Sequence, residues 1–179
     1  MAVEPEVAVA HFSDRLAEAV ELKRSQLVVG LDPNPDLFPV ELRGDGDAAA
    51  ACSRFCCGLV DAVAPYVVGV KPQLAFFEAL GAEGFRAFEE VCRYARFAGL
   101  LVIADGKRGD IGSTARAYAA AYLESGLADA LTVNPYLGSD SVEPFLLAAR
   151  RTGSGVFVIV KTSNAGSADL QDLTLSDGR

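Results

Sequence analysis

Asp105, Lys107 and Asp110 fall within one short stretch of LVIADGKRGDIGSTARAYAAAY, where an apolar run passes into a glycine-bounded turn and then into helical spacing. A lysine set between two carboxylates can remain protonated in a partly desolvated site, because the nearby negative charge opposes the penalty of burying an ammonium. Such an ammonium can stabilise negative charge developing on a substrate atom and then donate a proton to it. Gly106 and Gly109 are expected to give the backbone the freedom to turn these groups inward. A plainer arrangement uses the same residues as a strand-end salt bridge ahead of a helix capped by Ser113 or Thr114.

Positioning these groups requires a scaffold, and the chain offers a repeating one. Five apolar runs end in polar or charged residues: LVVGLD (27–32), VVGVK (67–71), LLVIADGK (100–107), ALTVN (130–134) and GVFVIVKTSN (155–164). They read as buried parallel strands. Segments 48–64, 84–98, 113–123 and 142–150 carry apolar residues three or four apart, as helices do. Strand starts lie about 25 to 40 residues apart, the length of a strand plus a crossover helix. A further helix over 13–23, with Ser13 or Asp14 as N-cap, precedes the first strand and is placed to cover the bottom of a barrel.

Asp32, Lys71, Asp105, Lys107, Asn134 and Ser163 all stand just after an apolar run. That is the active-site face of a (β/α)8 barrel, although a doubly wound sheet also binds ligands at its strand C-termini. No strand runs into a glycine-rich dinucleotide loop. The expected fold class is α/β, of the TIM (β/α)8-barrel type, with about the first five βα units present. Residues 1–179 are expected to form a single domain, the N-terminal portion of such a barrel, without its strands six to eight.

The net charge of −8 argues against nucleic acid or an anionic membrane as partner, since both require a positive field. No apolar run approaches the roughly 20 residues that span a bilayer, and MAVEPEVAVAHF has no signal-peptide pattern; the expected location is cytoplasmic. Cys52, Cys56, Cys57 and Cys92 lack metal-site spacing and are expected to be reduced thiols of a core or interface. His11 has no second histidine to pair with, and Phe76 and Phe77 read as core. Asp45-Gly46-Asp47 reads as a loop, and Asn134-Pro135-Tyr136 as either a turn or a site lining.

The context of Asp105-x-Lys107-x-x-Asp110, after LVIA and before IGST, resembles the orotidine 5'-phosphate decarboxylase family, in particular its bacterial branch with the DGKRGDIGSTA pattern. The resemblance continues through GLDPNP (30–35), VKPQLAFFE (70–78), TVNPYLGSD (132–140) and VKTSNAG (160–166), and so spans nearly the whole chain. It implies that Lys107 is the proton donor, that Asp105 faces the scissile carboxylate, that Lys71 joins the ribose and carboxylate network, and that Asp32 contacts the ribose hydroxyls. It also implies that Asp110, with Ile111 and Thr114, enters the active site of a neighbouring subunit, so that the assembly is a homodimer with shared sites. Ser163 matches the family's pyrimidine-contacting serine, while Ala165 departs from the proline of the branch's TSNPG segment.

The reaction so implied converts orotidine 5'-phosphate to uridine 5'-phosphate and CO2, in pyrimidine biosynthesis, with no cofactor and no metal. Two other readings stay open: a metal-dependent sugar-phosphate decarboxylase or aldolase on the same scaffold, and a noncatalytic, dimerising portion of a barrel. Phosphate commonly binds after strands seven and eight of such barrels, and neither Arg108 nor Lys161 is placed by sequence to replace those ligands. The 179-residue chain is therefore expected to be impaired or inactive by itself.

Overall fold

The computed structural model describes residues 10–42 and 46–174. Five parallel strands, β1 (Val28–Leu31), β2 (Gly69–Pro72), β3 (Leu101–Arg108), β4 (Ala130–Val133) and β5 (Gly155–Val158), form one sheet in the order β1-β2-β3-β4-β5. The spatial order follows the chain order without reversal. A doubly wound sheet reverses where its ligand binds, whereas a barrel adds each strand beside the last, so the topology is that of the barrel type.

Successive side chains of a strand point to opposite faces, and this alternation divides the sheet sharply. Leu31, Val70, Val102, Ala104, Leu131 and Val133 belong to one large buried cluster with the helices α2 (Ala48–Val63), α4 (Gly81–Phe97) and α6 (Ser139–Thr152), including Val60, Phe88, Val91 and Phe145. Each fully buried aliphatic or phenyl side chain there contributes roughly 1.5–3 kcal/mol through removal of apolar surface from water. The opposite face carries Leu101, Ile103 and Ala130, packed against Phe12 and Leu16 of α1 (Phe12–Lys23).

Helix α1 closes the N-terminal end of the sheet. Phe12 meets Phe157 edge-on with centroids 5.8 Å apart, and its ring lies where a side chain on Gly155 would stand. Arg15 Nη1 donates to Asp129 Oδ1 at 2.5 Å, while Asp129 Oδ2 accepts from Val102 N at 2.9 Å. Asp129 is buried, so this carboxylate ties helix, β3 and β4 together.

Several local expectations are corrected. The N-cap of α1 is His11, in extended backbone and without a side-chain cap, rather than Ser13 or Asp14; docking Phe12 draws the first helical turn further back than capping preference would. Helix α5 (Gly112–Ala119) begins after Ile111, and neither Ser113 nor Thr114 caps it; a π turn over Ala120–Glu124 continues it. The run 155–164 yields only the four-residue β5, which pairs with β4 alone, and Val160 beyond it is exposed. A short helix, α3 (Leu74–Glu78), was not anticipated: five residues are too few for a periodic signal, and Gln73 caps it by accepting from Ala75 N.

Cys52, Cys56 and Cys92 are buried and Cys57 is half-buried; all four are free thiols, and burial pushes the thiols of Cys56 and Cys92 well above their usual range. Phe77 is fully buried, as expected of core. Gly46 and Asp47 precede α2, which Asp47 caps by accepting from Ala50 N at 3.0 Å; Asp45 lies outside the described residues. No helix among the described residues is long and apolar enough to cross a membrane.

Candidate active site

The side chains that could do chemistry meet on the α1-side face of the sheet, at the C-terminal ends of β2, β3 and β4. Asp105, buried, is the centre. Lys71 Nζ donates to its Oδ2 at 2.5 Å and Gln73 Nε2 to the same oxygen at 3.2 Å; Lys107 Nζ donates to Oδ1 at 2.6 Å and Thr132 Oγ1 to Oδ1 at 3.1 Å. One carboxylate thus accepts four hydrogen bonds, two of them from ammonium groups. Burial raises the Asp105 carboxyl pKa, but the hydrogen bonds and charges of Lys107 and Lys71 outweigh it and hold the group below the usual aspartate value.

Strand geometry explains why these residues share a face. Asp105 and Lys107 are two apart on β3, and Gln73 bridges to Asp105 just past the end of β2. The pairing of β3 with β4 is irregular: Ala104 faces Leu131 and Arg108 faces Val133, so Asp105, Gly106 and Lys107 together oppose Thr132. A bulge of this kind re-aims side chains. Lys107 itself takes the left-handed backbone, at φ 46°, which is costly for a residue with a Cβ.

This corrects the role expected of the neighbouring glycines. Neither Gly106 nor Gly109 has positive φ. Their role is close approach: a Cβ on Gly109 would stand 2.8 Å from the backbone Asn134 O, while one on Gly106 would meet the end of the Leu74 side chain, with Cδ1 at 2.6 Å. The strained turn falls on the lysine, between two glycines that let the α3 and β4 segments close over it.

Arg108 points to the other face. Its guanidinium pairs with Glu78, donates to Tyr122 Oη at 3.2 Å and lies 5.5 Å and 5.6 Å from the ring centroids of Tyr118 and Tyr122. Lys161 pairs with Asp172. Both cations are therefore engaged away from the Asp105 cluster.

The other candidates lie around this centre without joining it. Asp32 follows β1 and is exposed, next to the β2 end that carries Lys71. Asp110 Oδ1 accepts from Ile111 N at 2.7 Å, and among the described residues Asp110 has no ion-pair partner; within one chain it does not reach Lys107. Ile111 and Thr114 are exposed at the start of α5, and Ser163 is exposed in the segment after β5. Asn134 Oδ1 accepts from Tyr136 N at 3.0 Å, the turn chemistry of the two roles considered for it.

Gln73 and Thr132 were missed by sequence reasoning. The signal for Thr132 was present: it is the one polar residue within ALTV, on the alternation that places it beside Ala130. Gln73 stands past Pro72, outside any periodic run, and nothing local marked it. Below the cluster, an apolar concavity of about 680 Å³ is lined by Leu16, Val20, Val28, Ile103 and Phe157, with Lys71 and Thr132 at its polar margin. Among the described residues no group of three or more His, Cys, Asp or Glu is placed to hold a metal ion.

With this geometry in hand, comparison with known proteins is specific. Residues 25–178 match the model of the orotidine 5'-phosphate decarboxylase / HUMPS family. The chain is 49% identical over 181 residues to an orotidine 5'-phosphate decarboxylase of Rhodopirellula baltica, covering 94% of this chain and 60% of that protein. A solved structure from Streptomyces avermitilis superposes with a TM-score of 0.87 at 41% identity, over 100% of this chain and 63% of that one. The OMP decarboxylase of Leishmania donovani superposes with a TM-score of 0.78 at 44% identity, over 94% of this chain and 60% of that one. The chain thus spans about three-fifths of the length of its relatives. A sheet of the barrel type, a lysine-flanked aspartate at its strand ends and a family match over residues 25–178 agree: this chain belongs to the orotidine 5'-phosphate decarboxylase / HUMPS family.

Proposed function

We propose that these residues form the catalytic portion of an orotidine 5'-phosphate decarboxylase, which converts its substrate to uridine 5'-phosphate and CO2 without a cofactor. The observation that carries the reading is the Lys71–Asp105–Lys107 array on the ends of β2 and β3. In the reaction the bond between C6 and the carboxylate carbon breaks, CO2 departs, and the electron pair stays on C6. The Lys107 ammonium, fixed beside Asp105, stabilises that charge and donates its proton to C6; solvent then reprotonates the amine. The two ammonium groups on Asp105 also disfavour a divalent cation at the same carboxylate, which speaks against the metal-dependent alternative.

In this reading Lys71 and Asp32 hold the ribose and Ser163 the pyrimidine. Asp110, Ile111 and Thr114 act in a neighbouring subunit's site, so the working form is a homodimer. What supports this part is that Asp110 stays clear of its own Lys107, and that Ile111, Tyr136 and Leu137 expose apolar surface on the same rim. The described residues are read as the N-terminal portion of a single barrel domain, and a cytoplasmic location is proposed, in keeping with four free thiols.

The test is formation of uridine 5'-phosphate from orotidine 5'-phosphate, measured for the 179-residue chain and for the chain extended to the length of its relatives. Turnover by the extended protein, with the shorter chain slower, is expected; equal activity removes the argument that phosphate ligands lie in the added length. Mixing Asp110→Ala and Lys107→Ala proteins under subunit exchange should restore part of the activity, and no recovery counts against shared sites.

A further inference from the structure

The bulge on β3 sets three residues, Asp105, Gly106 and Lys107, against Thr132 alone. Thr132 Oγ1 lies 2.9 Å from Lys107 N and 3.1 Å from Asp105 Oδ1. We propose that Thr132 is a positioning residue, whose single hydroxyl fixes the left-handed backbone of Lys107 and the rotation of Asp105 at once, and so holds the lysine ammonium in register with its carboxylate. The catalytic consequence rests on the decarboxylase reading; the structural coupling does not.

The direction of both hydrogen bonds is forced. A backbone N–H can only donate, so the Thr132 oxygen accepts from Lys107. An ionised carboxylate can only accept, so the Thr132 hydroxyl donates to Asp105. Nothing in the arrangement has two acceptable polarities, unlike most hydroxyl contacts. The bond matters because the Lys107 N–H sits inside a bulge, where the regular β3–β4 ladder is interrupted, and because φ 46° is a conformation a lysine does not hold unaided. The Lys107 side chain is 48% exposed, so its other restraint is the 2.6 Å ion pair with the very carboxylate that Thr132 orients. Thr132 is half-buried beside Lys71 at the edge of the concavity and has no need to touch substrate to act in this way.

The experiment is amide hydrogen exchange and carboxyl titration by NMR on the 179-residue chain, comparing wild type with Thr132→Val, Thr132→Ser and Thr132→Ala. Val keeps the shape and removes the hydroxyl. The Lys107 amide in T132V should exchange roughly fivefold faster, the effect of one ordinary hydrogen bond, and Asp105 should titrate at higher pH, having lost a donor. T132S should behave as wild type in both respects. Should T132V not fold, T132S and T132A decide the matter, since they differ only by the hydroxyl and must show the same contrast. Unchanged Lys107 exchange and Asp105 titration in T132V, or identical behaviour of T132S and T132A, overturns the proposal.

In the protein that turns over orotidine 5'-phosphate, T132V should lower kcat roughly tenfold to a hundredfold through misplacement of the ammonium, with KM little changed and T132S restoring the rate. An exchange contrast without turnover by the extended wild-type protein would leave the positioning intact and remove the decarboxylase reading. Turnover in wild type with no exchange contrast would do the reverse.

Discussion

Lys71 and Asp105, 34 residues apart in sequence, meet with Nζ 2.5 Å from Oδ2, while the other oxygen of the same carboxylate is held by Lys107. Asp105 therefore separates two ammonium groups that would otherwise face each other. Replacing it by Asn removes the charge and leaves the cations opposed. Asp105→Asn should lower unfolding stability by about 1–3 kcal/mol, below the cost of breaking a fully buried pair because both lysines are partly exposed. The loss should shrink in high salt, where repulsion is screened. Urea midpoints at two ionic strengths measure this, and a midpoint equal to wild type would contradict it.

The pH dependence has a defined sign. Asp105 has a folded pKa below its ordinary value of 3.8. A carboxyl lowered on folding adds stability that is fully present above the unfolded value and is lost as pH falls through the folded one. Wild type should therefore lose stability below about pH 4 more steeply than Asp105→Asn. Acid unfolding followed by circular dichroism checks the difference; parallel acid limbs would show that Asp105 is not held low.

Lys107 pays a backbone cost that glycine would not. Lys107→Gly and Lys107→Ala both remove the ammonium, so their difference isolates the left-handed conformation. Lys107→Gly should be more stable than Lys107→Ala by about 1 kcal/mol. Thermal melts of the pair test it, and a more stable Ala variant would mean that the turn relaxes out of the left-handed region.

At the opposite end, Asp129 is buried between Arg15 and the Val102 amide. Asp129→Ala leaves the Val102 amide unpaired and takes the carboxylate from Arg15, which keeps its bond to Gly153 O, and from Arg96 at 3.7 Å. It should cost about 3 kcal/mol, near the low end for a buried pair because both arginines are partly exposed. Exchange protection of α1 amides should fall with it. Unchanged protection there would show that Phe12 packing alone docks the helix.

Much of this architecture was legible in the chain. Apolar runs ending in Asp32, Lys71, Asp105 and Lys107 announced parallel strands with chemistry at one end; β2, β3 and β4 are buried as expected, whereas β1 and β5, each paired on one side only, leave Val28, Phe157 and Val158 exposed. What the periodicity could not convey was register. The β3 bulge that sets Thr132 against both Asp105 and Lys107 depends on how two strands pair, and the left-handed turn fell on Lys107 although two glycines flank it. Gln73 was hidden behind Pro72, and α3 is too short to declare itself. The proposed role of Asp110 in a second subunit's site would depend on an interface, which no spacing within one chain encodes.

The central claim is that the Lys107 ammonium performs the proton transfer in decarboxylation. Its most direct test is the rate of uridine 5'-phosphate formation by the extended protein and by its Lys107→Ala variant, alongside product binding by both. The variant should lose at least about a hundredfold in kcat, the lower end of what a positioned general acid supplies, while still binding uridine 5'-phosphate. Turnover by Lys107→Ala at the wild-type rate would contradict the account.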